Sequence, residues 1–403
     1  MTLSKKLRNS IIIISAWGSL TLLFHPVLFA QEVVRYNPIS TAVPFLTITP
    51  DSRHGAMGDV GAATSPDANS QYMNPSKFAF DGEKWGFSLS FTPWLRQLVK
   101  DVNLAYLSGF YQLDPTQAIG ASLRYFSMGQ VTLTSIDRTI VGNVSPGEFA
   151  IDFSYSRRLS DNFSGGVSLR YIHSDLTGGF ASTQSGAETF SAGNAFATDV
   201  SFYYQSRLGK EGSKNSIAAG VNFSNIGSKI SYNQGTTKEF LPANLKLGTT
   251  FTTDLGDSSS FSLSLDLNKL LVPTPVNRVD ASGNVIPDNT SSKSLISSIF
   301  SSFSDAPGGM KEELQEVTLS LGAEYWYRKQ FAVRAGYFNE SQYKGNLKYF
   351  TAGVGVKLNI AAIDVSYIIP VEPNNPLANT IRFTMLFNVE SFLKRKKLGP
   401  VTM

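Results

Sequence analysis

The chain has 403 residues, with 35 lysines and arginines against 31 aspartates and glutamates, three histidines and no cysteine. Absence of cysteine excludes disulfides, thiolate catalysis and cysteine-ligated zinc, and histidines this few and scattered give no frame for a histidine metal site. Lys5, Lys6 and Arg8 are the only charged residues of the first thirty, so removing that stretch takes the net charge from +4 to +1, which is no nucleic-acid footprint.

Those three basic residues precede an apolar run from Ile11 to Phe29 containing Pro26, followed by the small residue Ala30, which is the pattern of a secretory signal peptide over residues 1–30 cleaved after Ala30. No cysteine follows the site, so lipid anchoring there is excluded. Residues 31–83 read as a separate segment. Its stretch 41–80 is rich in Gly, Pro, Asn and Asp and keeps neither a period of 2 nor one of 3.6. Backbone without regular structure needs hydrogen-bond partners elsewhere, and the lumen of a polar-lined barrel supplies them. The segment is therefore expected to be a plug. Gly55, Gly58 and Gly61 suit tight turns or close approach to a wall, and Asn74-Pro75 suits a turn ahead of the first strand.

The ordered motifs Ala42-Val-Pro-Phe-Leu46, Pro50-Asp51, Gly55-Ala-Met-Gly58, Pro66-Asp67 and Asn74-Pro75-Ser-Lys77 resemble the N-terminal signature of the PorV family. Its members are outer-membrane components of the type IX secretion system and relatives of FadL-type barrels. The strand pattern described next extends the resemblance over the mature chain; the basic tail after Phe392 departs from it. The resemblance implies a non-catalytic shuttle that receives exported cargo through a C-terminal signal domain, takes it from the translocon barrel and presents it to a surface sortase and other attachment-complex proteins.

From Trp85 on, segments of about ten residues alternate apolar and polar side chains, the pattern of strands facing lipid outside and a polar lumen inside. Phe261-Ser-Leu-Ser-Leu-Asp-Leu267 is the clearest case, and Phe149, Ile151, Phe153 and Tyr155 alternate with Ala150, Asp152 and Ser154. Fourteen strands are expected, at 84–92, 101–112, 117–130, 147–159, 163–174, 195–208, 215–225, 241–254, 259–270, 316–328, 330–339, 346–358, 360–370 and 379–392. The resulting class is all-β, a transmembrane antiparallel barrel over 84–392 surrounded by outer-membrane lipid and lipopolysaccharide, with an even count that closes without a free edge. Odd-numbered connections are mostly long and even-numbered ones mostly short. Outer-membrane barrels keep short turns in the periplasm, so the long loops read as extracellular and both termini as periplasmic. Aromatics near strand ends, among them Trp85, Tyr111, Tyr125, Tyr155, Tyr204, Tyr325, Tyr327 and Tyr337, suit interfacial girdles. The last strand ends in the aromatic Phe392, and the basic tail 393–403 reads as periplasmic.

No Walker sequence, G-x-S-x-G, H-E-x-x-H or recognisable carboxylate pair is present, so neither an enzyme nor a bound cofactor or metal is expected. Inward polar residues Asp152, Arg170, Asp199, Asp266, Glu324 and Arg334 are expected to solvate a lumen or hold the plug. Two connections carry surplus apolar residues: Trp94, Leu95 and Leu98 in the first, and Leu295, Ile296, Ile299, Phe300 and Phe303 at helical spacing in the longest. Such a face either packs on the barrel mouth or takes a protein partner. From residues alone, a transport channel and a non-catalytic docking component both stand, and the resemblance chooses docking; the alternative, a FadL-like channel for hydrophobic small molecules, requires an apolar luminal pocket and a yielding plug.

Overall fold

A computed structural model describes residues 36–135, 137–180, 190–209, 213–233, 237–256, 258–275, 278–279, 285–286, 292–372 and 375–388. The leader, the terminal Phe392 and the basic tail lie outside them. The described strands are β1 (Trp85–Pro93), β2 (Asn103–Asp114), β3 (Gln117–Ser127), β4 (Val131–Thr134), β5 (Ile140–Val144), β6 (Gly147–Arg158), β7 (Phe163–Asp175), β8 (Gly193–Arg207), β9 (Asn215–Gly227), β10 (Asn244–Gly256), β11 (Ser259–Leu270), β12 (Arg278–Val279), β13 (Val285–Ile286), β14 (Thr318–Tyr327), β15 (Phe331–Asn339), β16 (Lys348–Lys357), β17 (Ala361–Pro370) and β18 (Ile381–Asn388). Fourteen of them close into one antiparallel barrel, and β4–β5 and β12–β13 are small hairpins standing apart from its wall. The barrel strands are those expected from alternation. The hairpins were missed because strands this short carry no readable period.

Closure is made by β1 on β18, in register from Gly86 opposite Asn388 to Phe91 opposite Phe383. Burial is inverted relative to a water-soluble sheet. On β6 and β7, Phe153 and Leu169 are exposed on the outside while Asp152 and Arg170 face each other, buried, on the inside. A period of 2 puts every second side chain on the same wall, so one pattern builds both the apolar exterior and the polar interior. Short connections at 115–116, 159–162, 328–330 and 358–360 share one mouth, while 94–102, 128–146, 228–243 and 271–317 share the other.

The first described residue of this unit corrects one expectation. Asn37 is hydrogen-bonded at the long-connection mouth, its N–H to the Tyr343 carbonyl at 2.9 Å and its side-chain amide to Pro275 at 3.0 Å and Glu312 at 3.1 Å. β18 instead runs out at the short-turn mouth. The N-terminal segment therefore enters the barrel opposite to where β18 leaves it, rather than at the same end. The reason is that the segment reaches β1 by running down the inside of the barrel.

An exterior that meets lipid makes a specific demand on Leu169, which is central in β7 and 69 % exposed. Leu169→Arg should destabilise the barrel folded into phospholipid vesicles by about 2–4 kcal/mol. On a water-facing wall the same change is nearly neutral. Denaturant titration of the reconstituted protein distinguishes the two.

Candidate functional site

Residues 42–80 have only short turns of helix, at Pro44–Thr47, Ser52–Gly55, Ser70–Met73 and Pro75–Phe80, so most of their backbone groups need other partners. The inner wall provides them. The Leu46 carbonyl accepts from Arg124 on β3 at 3.1 Å, the Ser52 N–H donates to Thr384 on β18 at 2.8 Å, and the Gly58 N–H donates to Thr351 on β16 at 2.9 Å. Gly61 and Ala62 both donate to one carboxylate oxygen of Asp266 on β11, at 2.8 and 3.0 Å. Lower down, Gln112 on β2 donates to the Phe78 carbonyl and Arg158 on β6 to Ala79 at 3.1 Å.

Two of the turn residues explain themselves. Gly58 has φ +69°, and a side chain there would meet the Leu321 and Tyr337 backbones at 2.7 Å. Asn74 donates to the Ala62 and Phe202 carbonyls at 2.9 and 3.0 Å while its own oxygen caps the turn that starts at Pro75 by accepting from Ser76. Gly55 packs under Arg382, and Gly61 packs against Met73.

Charge ties the segment to the wall. Arg53 makes a bidentate pair with Glu324 on β14 at 2.9 and 3.0 Å and reaches Asp67 at 2.7 Å. Arg334 on β15 binds the same Glu324 at 2.7 Å and Asp364 on β17 at 2.6 Å. Burial opposes the Arg53 charge, but Glu324 and Asp67 outweigh it and hold the guanidinium above its ordinary value. Burial likewise pushes the Asp67 carboxyl up, and Arg53 more than reverses it. Asp152, Arg170 and Asp199 form a second buried set, with Arg170 bidentate on Asp199 at 2.9 and 3.1 Å. Of the six inward residues singled out in the sequence, Asp266 and Glu324 hold the segment directly and the others pair along the wall. Arg53 itself escaped notice, because no local pattern pairs it with a residue 271 positions away.

Two cavities share no lining residue and lie towards opposite mouths. One of about 340 Å³ at the short-turn end lies between Asp67 and Ala68 of the segment and Trp326, Arg334 and Leu386 of the wall. The other, about 260 Å³, opens towards the long connections and is lined by polar side chains such as Arg170, Arg382 and Asn222 together with apolar ones such as Ile48, Trp94 and Phe338. In that chamber the Asn222 side-chain oxygen and the Arg382 Nε, both buried, have no protein hydrogen-bond partner among the described residues. Groups of this kind need water or a polar ligand.

The rim divides the remaining candidates. Trp94 and Leu95 pack against Tyr349, Ile368 and Leu377, and Trp94 lies 5.9 Å from the Arg382 guanidinium. Leu98, 66 % exposed, and Val99 stand clear. A helix does form at Leu295–Ser301, but its apolar residues do not make one face. Ile299 packs onto the cluster of Phe240, Ala243, Leu271 and Val272, Leu295 is half-buried, the Phe303 ring lies 6.0 Å from the Lys269 ammonium, and Ile296 and Phe300 point away. At about 100° per residue, Ile299 and Phe300 lie on different faces, so anchoring Ile299 leaves Phe300 turned away.

A family profile described as "Type IX secretion system protein PorV" matches residues 31–277. A comparison with curated proteins finds no match. Among solved structures, the Pseudomonas putida toluene transporter TodX superposes with a TM-score of 0.50 at 13 % identity, over 88 % of this chain and 99 % of that one. The Ralstonia pickettii toluene transporter TbuX gives 0.46 at 14 % identity, over 84 % and 96 %. A Pseudomonas aeruginosa FadL homologue gives 0.42 at 9 %, over 87 % and 99 %. The TodX likeness speaks to fold alone.

The segment also contains a titratable group whose effect is measurable. Lys77 is wholly buried, donating to the Gly61 carbonyl at 2.8 Å and to Thr64 at 3.0 Å. Burial pushes its ammonium down from 10.5 to about 8, with Asp67 pulling the other way. Between those values the unfolded chain holds a proton that the folded chain has released, so stability from this group rises with pH across the window and is flat below it. Thermal unfolding of the detergent-solubilised barrel should show this rise from about pH 8 to 10, and Lys77→Met should abolish it. Equal slopes in the two proteins would mean that the folded chain keeps the Lys77 proton.

Proposed function

Because this chain belongs to the PorV family of type IX secretion system proteins, we propose that it is a non-catalytic outer-membrane carrier of exported proteins. In this reading it binds the C-terminal signal domain of cargo at the translocon barrel and delivers it to the surface sortase and attachment complex. The long-connection mouth faces outward and is the docking end, and residues 37–83 close the lumen.

One observation favours carrying over conducting. The N-terminal segment runs the length of the lumen, from Asn37 at the long-connection mouth to Phe78 and Ala79 near the short turns, and is held by buried hydrogen bonds and an ion pair to strands around the wall. A passage for a small molecule would require buried hydrogen bonds between segment and wall to break, at a cost of about 1–3 kcal/mol for each group left unpaired. That weighs against a FadL-like channel and against carrying over the substrate named for the toluene transporters. Protein cargo needs no passage through the lumen, only a surface at the mouth. Leu98 and Val99, exposed on the first connection, are the residues we assign to it, with Trp94 and Leu95 anchoring the loop beneath them.

The absence of cysteine makes orientation testable by single substitutions. Leu98→Cys should react with a membrane-impermeant maleimide on intact cells, and Asp161→Cys should not; reversed labelling would invert the orientation. Replacing Leu98 and Val99 together by Asp should leave the barrel folded, judged by heat-modifiable mobility, while weakening cargo capture by roughly tenfold or more, since each 1.4 kcal/mol is tenfold. Full capture by the folded variant would remove the first connection from the docking surface.

A further inference from the structure

The longest connection behaves unlike a water-facing loop. It leaves β11 and returns on β14, and near its end the wall has a distinct outward row: Phe223 on β9 stands opposite Leu245 on β10, and Leu245 opposite Lys269 on β11. One step further into the wall, about 7 Å along the strands, the next outward row contains Leu247 and Leu267, both exposed. The upper row is not. Phe223 and Leu245 are half-buried, packing with Ile299 against Phe240, Ala243, Leu271 and Val272. Lys269 is only 8 % exposed, although it points outward, because Glu313 and Glu316 cover its ammonium at 2.9 and 2.6 Å.

The excursion thus folds over the outer wall at the rim, and its two short helices carry their polarity the wrong way round for water. In Met310–Gln315, Glu313 is buried and Glu312 reaches inward to Lys344 at 2.6 Å, while Met310 and Leu314, one turn apart, are 70 % and 67 % exposed. In Leu295–Ser301 and the residue after it, Ser298 and Ser302 are buried while Ile296 and Phe300 are exposed, Phe300 by 74 %. A helix on an aqueous surface buries its apolar stripe and exposes its charges. Apart from the packed Ile299 and the exposed Lys311, these do the reverse, over an outward row whose next members along the wall are the exposed Leu247 and Leu267.

We propose that the helices Leu295–Ser301 and Met310–Gln315 form a membrane collar, with Ile296, Phe300, Met310 and Leu314 entering the acyl-chain boundary of the leaflet at the long-connection mouth. Lipid is the occupant because the helices cover one outward row of the wall and the next row, Leu247 and Leu267, is exposed on the lipid-facing side. Lys269, an outward ammonium at the edge of hydrocarbon, is neutralised on the barrel side, as a charge bordering lipid requires. The acidic residues lie beneath the collar, where they do not repel anionic headgroups.

The test uses the full mature chain, purified and reconstituted into phospholipid vesicles without partners. A spin label on Phe300→Cys should show oxygen accessibility matching a label on Phe350→Cys of the outer wall. Its accessibility to a water-soluble nickel chelate should be several times lower than that of a label on Leu98→Cys. Leu314→Cys, on the second helix, should behave the same way and serves if the first variant fails to give a heat-modifiable folded barrel. High chelate accessibility at both sites would overturn the collar and leave the face for a protein partner. Low accessibility to both probes would also overturn it, by showing that the chain's own residues cover the face.

Discussion

Hydrocarbon offers backbone groups no hydrogen-bond partner, and the fold follows from that constraint. A strand lying in lipid must pair on both sides, so the first and last strands have to meet, and β1 and β18 do so over six register positions. Closure in turn creates an interior shielded from lipid, and the same alternation that sends Phe153 and Leu169 outward sends Asp152 and Arg170 inward. Once inside, those charges cannot stand alone. Buried cations of the wall therefore meet carboxylates within hydrogen-bond distance, as Arg170 does with Asp199 and Arg334 with Glu324 and Asp364, while Arg124 and Arg382 lie 3.8 and 3.7 Å from Asp152 and Asp59.

The N-terminal segment uses this interior as other proteins use an apolar core. With little regular structure of its own, it is held by side chains from strands all around the barrel and by Arg53 sharing Glu324 with Arg334. Removing one member of that set would leave a buried charge without its counterpart, which is why such networks are costly to break even where forming them gains little. Wall and segment thus form one hydrogen-bonded body, and the first connection at the rim carries the exposed side chains of Leu98 and Val99.

At the rim, the environment on each side decides how a side chain is used. Lys269 points outward yet is covered by two glutamates, whereas Leu98 on the first connection is covered by nothing among the described residues. Apolar exposure in the 295–314 region continues the lipid-facing wall, and apolar exposure at Leu98 and Val99 stands away from it.

Sequence by itself determined the class of the molecule, because a strand's side-chain period is strictly local. Alternation located all fourteen wall strands, connection lengths separated the two mouths, and clustered Gly, Pro and Asn marked a segment that would need a wall. The ordered motifs between Ala42 and Lys77 carried the family, which the profile over residues 31–277 shows. What only the tertiary structure decided depends on contacts between distant positions or on which side of an element is anchored. Arg53 and Glu324 lie 271 residues apart, and neither has a neighbour in sequence that announces the pair. The entry of the segment at the long-connection mouth depends on hydrogen bonds from Asn37 to Pro275, Glu312 and Tyr343. The helix at Leu295–Ser301 was legible from its spacing, but spacing leaves its rotation about its own axis free. Packing of Ile299 onto the rim cluster fixed that rotation and turned Phe300 outward.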